Sequence, residues 1–459
     1  MNANVGSLAS KLDQAFGSGV AERETEWLEQ VFVPPPRWGH WLGASSQLIL
    51  GPAGSGRTAV VLQMLAYANQ FERPFAFRWQ PVPQAGGDIS WEQVARRIVR
   101  TGLEALIERL LVWPWEQNSP PSWAATLLRR LAQDFWGFPL EIFLQQRYPP
   151  GIHSAAQTLL NWALEASPPP DLSLSITEAA QYLVIVARAL GHSSVWALLD
   201  PPFEVAHEIT PLLQRIAEVL QWFDVQGWAF KWFLPETSAR LLEQSTVVVR
   251  RRMKVEYLRW TSEEVQDLAF RRLQWTTDGQ WQGIKDVAKD AAFKAWIEEY
   301  GQTNPRVWLT LLHPFVLERA KVGRPLKREE WRTVARHYPP PLFLDMEQRV
   351  AYLGAKPLTL QPTAWRLLAY LYQNRNKRCD RRLLFYRALE GVEVAPEEDR
   401  IPWRSTFDST LHRLREQLEG RLREQLAISS RQPLYIVSER GKGIRLAHAT
   451  GVFGLRALT

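Results

Sequence analysis

The sequence predicts an α/β domain with a parallel sheet, then an all-helical segment, then a smaller α+β domain at the carboxyl end. Three observations predict this order. Short apolar segments alternate with helical segments over residues 46–255, which favours parallel strands joined by crossover helices. After Trp260 only helical periodicity continues. Beyond the proline run at 339–341, short strands, helices and a final hairpin indicate a separate domain.

Length and composition limit the class of protein. The 459 residues suffice for two to four domains. No apolar run approaches the length of a membrane helix, and the amino terminus lacks the basic and apolar regions of an export signal. We therefore expect a cytoplasmic protein without a membrane partner. The single cysteine, Cys379, excludes an internal disulfide, and the eight histidines have no paired spacing for zinc.

The elements of the α/β domain follow an amino-terminal arm at 1–45. Helices are predicted at 58–69 and 206–223, and a long helical insertion occupies about 88–190. Apolar composition predicts five strands, at 47–50, 74–79, 195–199, 228–234 and 246–250. The helices of the insertion are expected at 91–111, 123–135, 155–166 and 176–190.

Two further domains complete the chain. A helical lid is expected at 256–338, with helices at 261–274, 284–300 and 306–320. The last domain is expected at 340–449 and begins with strands at 342–345 and 350–353.

Charge is concentrated in the last domain. Residues 340–459 hold 20 Lys and Arg against 13 Asp and Glu, whereas residues 1–339 hold 35 of each sign. A basic domain on a neutral body is typical of nucleic-acid binding, although a solvated basic surface gives the same count.

The segment at 51–58, GPAGSGRT, fits the phosphate-binding pattern G-x-x-x-x-G-K-S/T except at one position. An apolar strand precedes it and a helix follows, so backbone N–H groups and the positive helix end favour a phosphate. A glycine turn without a ligand is the alternative. The pattern predicts ATP and Mg²⁺ as ligands, with Thr58 also a metal ligand. The candidate nucleotide-binding residues are Gly51, Gly54, Ser55, Gly56, Arg57 and Thr58.

The sequence departs from the usual ATPase pattern at two positions, so whether the protein hydrolyses ATP is left open. Arg57 replaces the lysine, and its planar guanidinium cannot occupy the same place between phosphates as a compact ammonium. Asp200 follows the apolar strand VWALL, in the setting of a Walker B acid that binds Mg²⁺; a turn-capping Asp is the alternative. The usual neighbouring glutamate is missing, and the next acid is Glu204. Asp200 and Glu204 are the candidate catalytic acids of a slow ATPase.

The segments WTSEEV at 260–265, RRL at 271–273 and GQTNPR at 301–306 resemble the lid of AAA+/STAND-type ATPases. The resemblance covers about residues 45–335. It implies that Arg306 senses the γ-phosphate, the alternative being a surface residue at a helix start. Lys231 and Glu236 stand where the family has a polar sensor group.

Residues 342–446 resemble the winged helix-turn-helix DNA-binding domain of OmpR/PhoB-type response regulators. The matching segments, in order, are LTLQPTAWRLL at 358–368, RRLL at 381–384, FDSTLHRLREQL at 407–418 and YIVSERGKGIRL at 435–446. Ala364 stands where the family usually has an acid. The resemblance implies double-stranded DNA as a partner.

Helical periodicity supports the same conclusion independently. Phe407, Leu411, Leu414 and Leu418 recur on one face, which leaves the basic residues outside, where arginine can pair with guanine. Gly441 and Gly443 permit a tight wing turn. A basic helix used for protein contacts is the alternative. The candidate DNA-binding residues are Arg404, Ser409, His412, Arg413, Arg415, Arg440 and Lys442.

Together these observations predict a DNA-binding transcriptional regulator in which an ATP-binding switch controls a winged helix. A DNA-stimulated loader or conflict-system ATPase that docks on DNA without sequence preference is one alternative. A scaffold that has lost ATP turnover is another. A second copy of the chain or a protein partner is expected to use the helical insertion.

Overall fold

The computed structural model describes eleven stretches of the chain and divides it into two compact units. The sheet unit comprises Pro34–Pro52 and Arg57–Arg259, and the helical unit comprises Met1–Val33, Ala53–Gly56 and Trp260–Thr459. The described residues are 2–17, 20–79, 90–115, 119–148, 154–165, 173–201, 216–239, 252–396, 403–429, 432–439 and 441–453.

The sheet unit contains a five-stranded parallel sheet in the order β2-β3-β4-β1-β5. The strands are β1 (Gln47–Gly51), β2 (Phe75–Trp79), β3 (Val195–Leu199), β4 (Trp228–Pro235) and β5 (Lys254–Tyr257). Every residue of the inner strands β1, β3 and β4 is buried, because helices cover both faces of a parallel sheet. The α/β architecture agrees with the sequence prediction.

The fifth strand is not the predicted one. The predicted strand at 246–250 lies outside the described residues, and β5 begins at Lys254. Only Glu256 is buried in this edge strand, where it binds Arg37 at 2.5 Å and Lys254 at 2.7 Å. An edge strand whose one buried residue is a carboxylate, paired with exposed cations, lacks the hydrophobic signal on which the prediction depended.

Helices of the sheet unit follow the predicted insertion closely. Neither α3 nor α7 was predicted as a helix, and of the helix expected at 206–223 only residues 216–223 are described, with α10 at their start. The helices are α3 (Trp38–Trp41), α4 (Arg57–Ala68), α5 (Trp91–Leu111), α6 (Ser122–Trp136), α7 (Leu140–Arg147), α8 (Ser154–Leu164), α9 (Ile176–Ala189) and α10 (Ile216–Gln221).

The helical unit begins with α1, which lies within the expected amino-terminal arm. This helix packs against α14. The predicted helix at 284–300 is two helices, because Asp290 caps the second one through Ala292 N–H. The helices are α1 (Asn2–Gly17), α2 (Leu28–Val31), α11 (Ser262–Thr276), α12 (Ile284–Val287), α13 (Ala291–Gly301), α14 (Pro305–Val322) and α15 (Arg328–His337).

The same unit contains the carboxy-terminal elements. An antiparallel sheet β6-β7-β8 precedes three helices, and β9 pairs with β10 in a hairpin. No described helix, including the 24-residue α18, combines the length and apolarity needed to cross a membrane. The elements are β6 (Leu342–Asp345), β7 (Val350–Leu353), β8 (Lys356–Leu358), α16 (Pro362–Gln373), α17 (Arg381–Leu384), α18 (Trp403–Leu426), β9 (Ile436–Glu439) and β10 (Gly443–Leu446).

Candidate functional site

The predicted phosphate loop connects β1, which ends at Gly51, to α4, which begins at Arg57. Gly54 and Gly56 have φ of +80° and +83°, a region that side chains disfavour. A Cβ on Gly54 would also lie 2.6 Å from Asn304 Oδ1. Glycine at position 54 is therefore required both by the backbone conformation and by the space available.

Three successive carbonyl groups of this loop accept hydrogen bonds from the helical unit. The donors are the indole of Trp260, the side-chain amide of Asn304 and the backbone N–H of Arg306, and we call these three groups the carbonyl clamp. The bonds are Asn304 Nδ2 to Ala53 O at 2.7 Å, Arg306 N to Gly54 O at 3.2 Å and Trp260 Nε1 to Ser55 O at 2.8 Å.

The clamp fixes the direction of the loop amides. In a trans peptide the N–H points opposite to the C=O of the same plane. The N–H groups of residues 54–56 therefore point away from the clamp donors. Such a group of backbone amides is suited to an anion.

Hydroxyl groups flank these amides. Ser55 is 2 % exposed, and within the described part of the chain its buried Oγ has no hydrogen-bond partner. Thr58 is half-buried in the first turn of α4, where backbone N–H groups lack intrahelical acceptors. An unsatisfied buried hydroxyl beside glycine-rich backbone fits a phosphate ligand.

Arg57 is 9 % exposed and its guanidinium turns back on the loop. Arg57 Nη1 donates to Gly51 O at 2.9 Å, which joins the last residue of β1 to the first residue of α4. The arginine that replaces the lysine of the motif thus links the two ends of the loop.

Asp200 lies directly after β3 and is 2 % exposed. Its Oδ2 binds Arg78 Nη2 on β2 at 3.0 Å. Strand β4 separates β3 from β1, and Leu199 and Leu48 both pair with Trp232. Asp200 is therefore at the carboxyl end of the sheet, about 10 Å across two strand spacings from β1. Glu204 lies outside the described residues.

Lys231 and Glu236 lie beside different ends of β1. Glu236 follows β4, whose last residue pairs with Gly51, and Glu236 binds Arg259 at 2.6 Å. Lys231 pairs instead with Gln47, the first residue of β1. The register therefore places Lys231 beside the start of β1, four residues before the strand position that pairs with Gly51.

Arg306 is the second residue of α14 and lies beside the loop. Its backbone N–H is part of the clamp, and a Cβ on Gly54 would lie 3.1 Å from Arg306 Cβ. The structure therefore brings the predicted γ-phosphate sensor next to Gly54. The sequence analysis did not single out Trp260 or Asn304 as site residues. For Asn304 a local signal existed, since Asn before Pro marks a helix start.

The candidate DNA-binding face is on α18. Phe407, Leu411, Leu414 and Leu418 are buried, as their spacing predicts. The opposite face is exposed and basic, and Arg381 at the start of α17 forms an ion pair with Asp408 beside it. The exposed residues that the sequence predicted are Arg404, Ser409, His412 and Arg413.

Arg415 departs from the expected outward orientation. It is half-buried, and its Nη2 donates to Ile436 O at 3.0 Å and to Ser438 Oγ at 2.7 Å on β9. Burial lowers the pKa of this guanidinium. Arg415 therefore fastens the hairpin to α18, a contact between separate elements that helical periodicity cannot report.

The hairpin turn presents Lys442, which is exposed, whereas Arg440 lies outside the described residues. Gly443 has φ of +102°, and a Cβ there would lie 2.5 Å from Cys379 O. Glu419, fully buried on α18, accepts hydrogen bonds from Tyr435 N and Ile436 N at the start of the hairpin. These contacts hold the hairpin against α18.

No family model matches the chain, and no curated protein matches it. The chain is similar to the DNA-binding domain of Klebsiella pneumoniae RstA in complex with the RstA box, at 24% identity over 23% of this chain and 89% of that one, with a TM-score of 0.17. It is similar to Cdc6p from Pyrobaculum aerophilum, at 13% identity over 93% and 90% of the two chains and a TM-score of 0.31. For Aeropyrum pernix Orc1 in complex with DNA the identity is 12% over 92% of each chain, and the TM-score is 0.32. TM-scores this low carry no conclusion about function.

Proposed function

We propose that this chain is a DNA-binding transcriptional regulator in which an ATP-binding switch of the AAA+/STAND type controls a winged-helix module. One observation carries the proposal. The helical unit contains both the phosphate-loop residues Ala53–Gly56 and the exposed basic face of α18. A ligand on the loop therefore acts on the same folded unit that presents the DNA-binding face.

ATP is the ligand that suits the loop. The amides of residues 54–56 would bind the phosphates, together with the hydroxyl of Ser55. Thr58 and, through water, Asp200 would hold Mg²⁺, which supplies charge neutralisation of the phosphates. Arg306, at the start of α14, would contact the terminal phosphate.

DNA is the partner that suits α18. A helix with buried apolar residues on one face and Arg404, His412 and Arg413 on the other has the width and charge for the major groove. The hairpin would place Lys442 on the phosphate backbone. Arg415 would act indirectly by holding the hairpin.

Slow turnover of ATP is supported by Arg57, whose buried guanidinium binds Gly51 O. The same observation favours a second candidate, a scaffold with the fold of an ATPase and no turnover. ATP binding with slow or no phosphate release favours the switch, whereas the absence of ATP binding favours the scaffold.

The first experiment is calorimetric titration of the full chain with Mg·ATP, with Thr58→Ala as the control and phosphate release measured in the same samples. Binding that weakens in T58A, with slow release, supports the switch. Absence of binding leaves only the scaffold.

Selection from random duplex DNA tests the second half of the proposal. Enrichment of one motif supports a transcriptional regulator. Binding without sequence preference, together with DNA-stimulated ATP turnover, would instead support a loader or conflict-system ATPase.

A further inference from the structure

We propose that Trp260 and Asn304 are positioning residues that hold the loop carbonyls, so that three backbone amides are directed at the phosphates before the nucleotide binds. The inference rests on the proposed function, because it concerns the same ATP site. It assigns the geometry of the phosphate site to two side chains that are distant from the motif in sequence.

Asn304 is fixed at both ends of its side-chain amide. Its Nδ2 donates to Ala53 O at 2.7 Å, and its Oδ1 accepts from Val307 N at 3.2 Å as the cap of α14. The residue is 7 % exposed. Because one side chain caps the helix and binds the loop, the start of α14 determines where Ala53 O points.

Trp260 is anchored in a similar way. It is 7 % exposed, and its indole Nε1 donates to Ser55 O at 2.8 Å. The next residue, Thr261, forms a capping box with Glu264 at the start of α11. The indole donor is thus held by a well-defined helix start.

Between these two side chains, the backbone N–H of Arg306 donates to Gly54 O. All three carbonyls from Ala53 to Ser55 are therefore occupied, and the N–H groups of the same peptide planes point the other way. Only proline at position 306 would remove the Arg306 donor, and it would remove the arginine side chain as well. Trp260 and Asn304 are the two members of the clamp that a conservative substitution can test.

The clamp matters because the loop is otherwise costly to order. Gly54 and Gly56 have positive φ, and glycine loses more conformational freedom than other residues when it is fixed. Fixing the carbonyls in the free protein means that the ligand does not pay this cost on binding. Loss of either side-chain donor is expected to weaken phosphate binding without removing any group that touches phosphate.

The test uses substitutions that delete one donor each in the full chain. Trp260→Phe keeps an aromatic ring and loses the N–H. Asn304→Ser keeps an oxygen that caps α14 and loses the donor to Ala53 O. For each, we expect affinity for Mg·ATP and for pyrophosphate to fall about fivefold, and hydrogen exchange of the amides of residues 54–56 to become faster.

Matched controls delete similar bonds in the sheet unit. Trp162→Phe removes a buried indole bond to Pro120 O at 3.0 Å. Asn69→Ser removes the paired side-chain bonds to the backbone of Ala76. Both controls are expected to change the thermal midpoint as the test variants do, and to leave both affinities and the loop amides unchanged.

The outcomes are distinguishable. Weaker binding and faster loop exchange in W260F or N304S, but not in the controls, support the inference. If wild type binds and both test variants bind equally well, the inference fails while the proposed function stands. If wild type binds neither Mg·ATP nor pyrophosphate, the proposed function fails and the inference fails with it. Having two test variants keeps the result decisive if one of them does not fold.

Discussion

The carboxylate of Glu299, near the end of α13, lies 2.7 Å from Arg421 Nε on α18. The same carboxylate accepts from Lys356 Nζ at 2.5 Å and from Gln425 Nε2 at 2.7 Å. Asn304 follows shortly along the chain and binds the phosphate loop. One short segment, 299–306, therefore contacts the loop at one end and the carboxy-terminal helix at the other.

This relationship predicts that Glu299→Gln uncouples ATP from DNA. Glutamine keeps the shape of the side chain but loses the charge that binds Lys356 and Arg421. We expect Mg·ATP to change the DNA affinity of wild type severalfold and that of E299Q by less than half as much. Fluorescence anisotropy of a labelled duplex with and without Mg·ATP measures both ratios.

Glu298→Gln is the matched control, because this neighbouring carboxylate contacts Lys294 and Gln266 instead. Equal coupling in E299Q and wild type would show that segment 299–306 does not transmit the nucleotide state.

Glu299 also predicts how stability depends on pH. Burial raises the pKa of Glu299, but hydrogen bonds from Lys356 and Gln425 lower it by a larger amount, so the net shift of the pKa is downward. Its stabilising contribution is thus present above about pH 4.3 and is lost as the pH falls.

The exposed face of α18 predicts a loss of DNA affinity in Arg413→Ala. Arg413 is exposed, and loss of the base contact proposed for it is expected to cost about 1–3 kcal/mol and to relax sequence preference at one position. Arg147→Ala, on the exposed surface of α7, removes the same charge from the sheet unit as a control. If R413A and R147A bind a selected duplex equally well at several salt concentrations, α18 is not the DNA-binding helix.

From the burial of Lys231 we predict that the stability of the protein depends on pH above neutrality. Its Nζ is buried, donates to Gly43 O and Ser45 O at 2.6 and 2.8 Å, and burial lowers its pKa to about 7. The unfolded chain keeps this proton up to about pH 10.4, so between pH 7 and that value the unfolded state binds more protons and stability rises with pH.

Lys231→Met removes this titration. We expect the free energy of unfolding of wild type, relative to K231M, to rise between pH 7 and pH 10, by at most about 1.4 kcal/mol per pH unit. Urea denaturation at several pH values measures the difference, and Lys285→Met, an exposed lysine, serves as the control. A difference between wild type and K231M that stays constant over this range would contradict the prediction.

Patterns of neighbouring residues in the sequence predicted the buried face of α18 and the glycines of the loop. The burial of Phe407 and Leu414 follows from helical periodicity, and the glycines of the loop follow from a backbone conformation that few residues adopt. Trp260 and Asn304 escaped prediction because they are 205 and 251 residues from their partners in the loop. The helix-start signal at Asn304 is local, and it does not indicate the contact of its side chain with Ala53.

The orientation of Arg415 and the strand β5 escaped prediction for related reasons. Periodicity assigns Arg415 to the outer face of α18, but the hairpin packs there and buries it. Glu256 is buried only because Arg37 and Lys254 neutralise it. In both cases a contact between separate elements determines the structure.

The position of Arg57 predicts that Arg57→Lys raises ATP turnover. The arginine is buried against Gly51 O, and its planar guanidinium cannot approach the phosphates as a compact ammonium does. Lysine at this position would stabilise the charge that develops on the transferred phosphoryl group. We expect phosphate release to increase about tenfold, equivalent to about 1.4 kcal/mol of transition-state stabilisation, with little change in the affinity for Mg·ATP.

The control is the double variant R57K with Thr58→Ala, in which loss of the hydroxyl proposed to bind Mg²⁺ should abolish the increase. An R57K variant that binds Mg·ATP and releases phosphate no faster than wild type would show that Arg57 is not what limits turnover. The limitation would then lie elsewhere, for example at Asp200, whose carboxylate is bound to Arg78. A rise in R57K that T58A reverses would instead identify a functional ATPase site slowed by a single side chain.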